Sequence, residues 1–209
     1  MSFEDLQHKL TDRLKQPLPG AMAHDPLRAI PVGSVMPRFE HTLSPKPGGV
    51  LILLYESNGR IKFPLIKRPE YLGTHSGQIS LPGGKAEPGE SIIETALREG
   101  EEEIGVPRDA VNVLGILSEF FVIPSNFLVT PVVGVVNGLP VFKPDAKEVA
   151  RILVGDVDDL IAAEAVRQKE IMAAGKFRMM APHFEIENEV VWGATAMMLN
   201  EFRTILLGL

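Results

Sequence analysis

Residues Gly83 to Val106 read GGKAEPGESIIETALREGEEEIGV, and this stretch decides how the rest of the chain is organised. A glycine-rich loop leads through Pro88, Gly89 and Glu90 into a helix that carries Arg98, Glu99, Glu102 and Glu103 in its last turns. At about 100° per residue, Glu102 and Glu103 fall on either side of Glu99, so three carboxylates share one face. Carboxylates that close repel and raise one another's pKa unless a cation neutralises them. Ile93, Leu97, Gly100 and Ile104 fall on a different face, at the spacing of a stripe packed on a core.

The loop adds what the helix lacks. Gly83 and Gly84 allow backbone close to a ligand, so that a carbonyl can point at the same metal. Glutamate and carbonyl oxygens are hard ligands suited to Mg²⁺ or Mn²⁺, and Mg²⁺ commonly links a protein carboxylate to substrate phosphates. Taken singly, each part has a plainer meaning: a solvated acidic face, a glycine turn, an Arg98 pairing with Glu94 or Glu102 along the helix. The joint pattern outweighs these.

That pattern resembles the Nudix box: Gly, five residues, Glu, seven residues, Arg-Glu, an apolar residue, any residue, Glu-Glu, any residue, Gly and an apolar residue. Gly84, Glu90, Arg98, Glu99, Glu102, Glu103, Gly105 and Val106 fill it in register. Gly100 departs, standing where the family has an apolar residue. A small residue there permits close helix packing, at about 1 kcal/mol of helix propensity relative to Ala. The resemblance implies an α/β fold, a Nudix-type α/β/α sandwich with a mixed β-sheet. It implies a metal-dependent diphosphatase in which Glu99, Glu102 and Glu103, with a carbonyl of Gly83 or Gly84, hold Mg²⁺ or Mn²⁺. Arg98 then holds the carboxylates in place, Glu90 helps fix loop and helix, and proton removal from water falls to Glu99, Glu103 or Glu148.

Upstream, residues 65–84 (LIKRPEYLGTHSGQISLPGG) resemble the extra motif of the coenzyme A pyrophosphatase branch of that family. Arg68, His75, Gly77, Gln78, Pro82, Gly83 and Gly84 match; Ile66, Pro69, Gly73 and Leu81 replace its usual Thr, Ser or Ala, Arg and Phe. Val129 to Val133 and Trp192 to Ala196 are also similar to the branch, so the likeness runs from about Pro47 to Phe202. It implies coenzyme A or a derivative as the small-molecule nucleotide substrate, cut to 3′,5′-ADP and 4′-phosphopantetheine. Arg68 suits bidentate phosphate contact, and His75 and Gln78 suit orienting the same group. Glu148, in the loop after Pro144, occupies a place where such enzymes often hold a further acid; Glu119 is a weaker candidate. Alternatives are the same chemistry on ADP-ribose, NADH or a nucleoside triphosphate, and a non-catalytic nucleotide-binding regulatory module.

The rest of the composition narrows the field. With 209 residues the chain can bury one sizeable core, and 45% hydrophobic with 23% charged residues is ordinary for a globular protein. A net charge of −6 without a Lys/Arg block argues against nucleic acid and against an anionic membrane surface. There is no cysteine, hence no disulfide and no thiolate chemistry. No signal sequence or membrane span is evident, which makes the cytoplasm the expected location.

In chain order, Ser2 to Lys15 reads as an amphipathic helix capped by Ser2, with Phe3, Leu6, Leu10 and Leu14 on one face. Pro17 to Pro47 is a proline-rich arm whose Ile30, Val32, Val35 and Met36 pack on its own domain or on a second subunit of a homodimer. Residues 1–46 thus form a helix and arm, and 47–209 the Nudix domain. Strands are expected at Gly49–Tyr55 and Ile61–Arg68, joined by a hairpin at Ser57-Asn58-Gly59. Pro64 fits an edge or bulge better than a central strand. Further strands are expected at Gln78–Leu81, Val111–Val122 and Phe127–Val136, with short edge strands at Pro140–Phe142 and Ala150–Val154. Asp156 caps a brief helix through Ile161, and Trp192–Leu207 closes the chain as a helix with Trp192 in the core.

Overall fold

Val50 to Tyr55 is apolar at every position, which a strand tolerates only when both its faces are covered. In the computed structural model, which describes residues 2–33, 39–69, 77–173, 175 and 177–209, this run lies within β2 (Lys46–Ser57). Ile52 and Leu54 enter one core with Leu6, Leu10 and the closing helix, while Leu51, Leu53 and Tyr55 enter a second core under the acidic helix. β2 is flanked by β3 (Arg60–Lys67), reached through a turn with left-handed Asn58 and Gly59, and by β8 (Phe127–Val136). The β2–β8 pairing is parallel, so the sheet is mixed.

Among the described residues this main sheet has eight strands, including β4 (Ile79–Ser80), β5 (Gly83–Lys85), β6 (Val111–Ile116), β7 (Phe120–Val122) and β9 (Arg151–Asp156). α3 (Ile92–Ile104) covers one face. α1 (Phe3–Arg13) and α5 (Gly193–Leu207) cover the other, giving the α/β/α sandwich with a mixed sheet. Pro64, with no N–H to give, sits in β3 between the stretch paired with β2, which ends at Lys62, and the stretch paired with β4, which begins at Ile66.

Several expectations are corrected. The single strand over Val111–Val122 is two, because the chain leaves β8 at Ser118, whose amide and hydroxyl both donate to Glu201 of α5. Glu201 is fully buried and also accepts from the Gly20 amide at 3.0 Å and contacts His24 Nε2 at 3.0 Å. His24 ends α2 (Ala21–His24), so this carboxylate fastens the N-terminal arm to α5. Pro140–Phe142 forms no strand. Its loop instead binds the end of α3, through Lys143 N–H to Ile104 O at 2.9 Å and Asp145 N–H to Glu103 O at 3.2 Å.

A second sheet, of four strands among the described residues, was not expected. It comprises β1 (Ile30–Pro31), β10 (Val166–Ala173), β11 (Phe177–Ile186) and β12 (Glu189–Trp192). Ile30 pairs there with Met180 but its side chain stays 64% exposed, against its expected packing role. Val35 and Met36 lie outside the described residues. The helices at Asp156 (α4, Val157–Ile161) and after Trp192 form as expected, and Trp192 is half-buried at the start of α5. No helix among the described residues is long and apolar enough to cross a membrane.

Candidate metal and phosphate site

α3 starts with a capping box: the Ser91 hydroxyl accepts from the Glu94 amide, and the Glu94 carboxylate accepts from the Ser91 amide. It ends at Gly105 in a left-handed conformation (φ 72°). Its buried side is Ala96, Gly100, Glu103 and Ile104, with Ile92 and Leu97 packed against the same core. Ile93, expected in the stripe, is 38% exposed. The helix is turned because it lies directly on β2 through a glycine on each side, Gly49 of the strand and Gly100 of the helix. A Cβ at Gly49 would stand 2.6 Å from Ile92 O, and one at Gly100 would stand 2.8 Å from Leu51 Cδ2. The departure at Gly100 is thus a close contact between α3 and β2.

The glycine loop is itself a short strand, β5, antiparallel to β2. Gly83 adopts φ 152°, and a Cβ there would strike the β2 backbone at 2.4 Å. The Gly83 amide donates to Glu103 Oε2 at 2.7 Å. The Glu99 carboxylate lies over Gly84, so closely that a Cβ would meet Glu99 Oε1 at 2.4 Å. Loop and helix therefore fit each other carboxylate to backbone.

Arg98 organises the acids around it. Its guanidinium donates to both oxygens of Glu90 (2.7 and 3.1 Å), to Glu99 (2.9 Å), to Glu102 (3.0 Å) and to the Lys85 carbonyl (3.1 Å). Those hydrogen bonds, helped by the Glu87 amide, hold the Glu90 carboxyl down at about 2 and push Arg98 further above its ordinary value. Glu90, expected to fix loop and helix, thus does so through Arg98.

Glu99, Glu103 and Glu148 come together, with one carboxylate oxygen from each within 4.8 Å of the others. Glu148 reaches the group because the loop before it is bound to α3 at Glu103 O and Ile104 O. Glu103 is 1% exposed, and burial raises its carboxyl to about 7, against the opposing pull of the Gly83 amide and the Arg68 charge. Burial also raises Glu99, against the pull of Arg98. Glu102 points to the exposed side of α3, tied to Arg98, and is not in the trio; nor is Glu119, exposed between β6 and β7. Arg68 follows β3 at the Glu103 side, its amide bonded to Gln78 O at 3.0 Å. His75 lies outside the described residues.

Three carboxylates brought together, one of them buried, form a set of hard donors that repel one another until a cation joins them. The donor set fits a divalent metal. A model of the NUDIX domain matches residues 45–180. The chain belongs to the Nudix family. Nudix hydrolase 3 of Caenorhabditis elegans is 33% identical over 172 residues, covering 75% of this chain and 72% of that protein. NudL of Yersinia enterocolitica, described as an uncharacterized Nudix hydrolase, is 37% identical over 134 residues, 63% of this chain and 67% of that protein. Among solved structures, the M. smegmatis Nudix hydrolase RenU superposes with a TM-score of 0.56 at 15% identity, covering 80% of this chain and 89% of its own. A C. elegans Ap4A hydrolase binary complex gives 0.52 at 15% identity, with 78% and 99% covered. At such identities the solved structures show the shared fold. This Nudix protein is a hydrolase of phosphoric anhydrides, and Nudix hydrolases use divalent cations.

The sequence did not single out Ser91, within the box, or Glu187, Glu189 and Glu201, outside the recognised motifs. Ser91 with Glu94 was readable as a capping box; the others act through contacts made only in the fold.

Proposed function

We propose that this Nudix hydrolase cleaves the pyrophosphate bond of coenzyme A or a derivative, releasing 3′,5′-ADP and 4′-phosphopantetheine. The observation that carries the reading is the meeting of Glu99, Glu103 and Glu148 beside Arg68, the match to the coenzyme A branch motif. Glu99 and Glu103, with a carbonyl of Gly83 or Gly84, hold Mg²⁺ or Mn²⁺, and Glu102 extends the acidic rim. The cation, when bound, offsets charge on the pyrophosphate and lowers the pKa of the attacking water. Arg68, His75 and Gln78 take the substrate phosphates, and Arg98 with Glu90 keeps the acidic face in register with the glycine loop. Glu148 removes the proton from water: Glu99 and Glu103 are each engaged by a donor, whereas the Glu148 side chain has no hydrogen-bond partner among the described residues. Residues 47–209 carry this chemistry, and residues 1–46 add a helix and arm that complete its core.

The test is product analysis by mass spectrometry after incubation with coenzyme A, ADP-ribose, NADH and a triphosphate mixture, with Mg²⁺, Mn²⁺ or chelator. Metal-dependent 3′,5′-ADP formed faster than any other product supports the reading. Faster turnover of ADP-ribose or a triphosphate overturns the substrate, and makes Ile66, Pro69, Gly73 and Leu81 the residues to exchange.

A further inference from the structure

The turn between β11 and β12 reaches back to the main sheet with two glutamates. Glu189 Oε1 lies 2.6 Å from Lys67 Nζ and 3.9 Å from a guanidinium nitrogen of Arg151. Arg151 is also paired with Glu187, whose second oxygen accepts from the Val154 amide at 2.9 Å. Glu187 and Asn188 hold φ values of 49° and 65°. Ile186 pairs with Glu189, so Glu187 and Asn188 form a two-residue hairpin turn that itself takes left-handed backbone at both positions.

Lys67 is where these contacts converge. Its backbone pairs with Ile79 of β4 on one side and Arg151 of β9 on the other, and its carbonyl accepts from the Ala150 amide at 2.9 Å. The next residue is Arg68, bonded through its amide to Gln78 O. On the far side of β4, Thr195 of α5 donates its hydroxyl to Ile79 O at 3.1 Å. The strand ends that carry Arg68 and Gln78 are therefore held from behind by β12 and α5. Glu148 is held differently, from α3. Glu187, Glu189 and Thr195 all lie beyond residue 180, where the match to the NUDIX domain stops.

We infer that the β11–β12 turn is a positioning clamp for the substrate side of the site. Glu189 through Lys67, and Glu187 through Arg151, fix the ends of β3 and β9 so that Arg68 keeps its place beside Glu103 and Gln78 its backbone bond to Arg68. Lys67 and Glu189 are positioning residues: they touch neither the trio nor Arg98. The inference rests on the assignment of Arg68 and Gln78 to substrate phosphates made above.

The experiment compares full-length wild type with Lys67→Met, Glu189→Gln, the double variant and Lys67→Arg. It reads steady-state kinetics on coenzyme A with Mn²⁺, melting temperature, and amide hydrogen exchange. Lys67→Met and Glu189→Gln each raise KM about tenfold with kcat unchanged, since displacing a substrate-positioning strand costs binding before chemistry. The double variant is no worse than either single one, because both remove the same pair. Lys67→Arg, which can still reach Glu189, restores KM. Exchange rises in the segments ending at Arg68 and starting at Gly77, and stays unchanged in α3. An unchanged KM, or kcat falling in step with it, overturns the clamp even if the variants melt lower. If wild type turns over no substrate, the functional reading fails, and the exchange data still decide: unchanged protection at Arg68 and Gln78 overturns the clamp.

Discussion

Removing the charge of Glu103 should make the metal-free protein more stable and the enzyme nearly inactive. The carboxyl is fully buried and raised to about 7, from an ordinary value of 4.5, by burial. Between those two pH values the folded chain holds a proton that the unfolded chain has released, so stability falls as pH rises through this window and stays low above it. At about 1.4 kcal/mol per pH unit, the buried charge costs roughly 3 kcal/mol at pH 8, about 2 kcal/mol more than at pH 5.5. Glu103→Gln removes that cost while its amide oxygen still accepts from the Gly83 amide. With chelator at pH 8 the variant should melt roughly 6–12 °C above wild type, at 2–4 °C per kcal/mol, and the gap should shrink by more than half at pH 5.5. Added Mg²⁺ or Mn²⁺ should stabilise wild type more at pH 8 than at pH 6, since the ligands must be deprotonated, and should leave the variant unmoved. Differential scanning fluorimetry at the two pH values reads all of this. A variant no more stable than wild type at pH 8, or a gap independent of pH, would refute the reasoning.

Two other substitutions probe the supports of the site. Gly84→Ala puts a methyl group 2.4 Å from Glu99 Oε1; the carboxylate must move, so turnover should drop at least tenfold, on the order expected of a misplaced ligand, with circular dichroism unchanged. Wild-type activity would mean that the fit of Glu99 over the loop is unimportant. Glu201→Ala leaves the donors of Gly20 and Ser118 without their acceptor in the core and removes one of the polar ties between the arm and α5, the bond from Asn200 Nδ2 to Ala23 O at 2.6 Å remaining. Urea unfolding should show a loss of about 3 kcal/mol, and a loss below about 1 kcal/mol would contradict the role given to that carboxylate.

The sequence made the acidic helix legible because a box of fixed spacings acts locally, within one loop and one helix. The same is true of the Asn58-Gly59 hairpin and of Asp156 as a cap, where the residue and its partner are neighbours in the chain. The helix phase was misread at Ile93 because Gly49 and Gly100 let α3 sink onto β2, which no single-helix periodicity contains. The second sheet escaped notice for a different reason. β10 is an edge strand with most of its residues exposed on both faces, so it shows neither the alternation nor the apolar run that marks a strand. After Ile116 the strand meets Pro131 of β8, which has no N–H to return, and Ser118 is taken up by Glu201, far along the chain; Glu148 joins Glu99 and Glu103 because its loop returns to the end of α3. Local spacing announced the carboxylates; tertiary contacts decided which of them meet.

The most direct test of the account is a crystal structure of the protein grown with Mn²⁺, with the ion located by its anomalous signal. The account requires a peak among Glu99, Glu103 and Glu148, bonded to carboxylate oxygens of at least Glu99 and Glu103. A peak elsewhere, or no bound ion at a concentration that supports turnover, would contradict it.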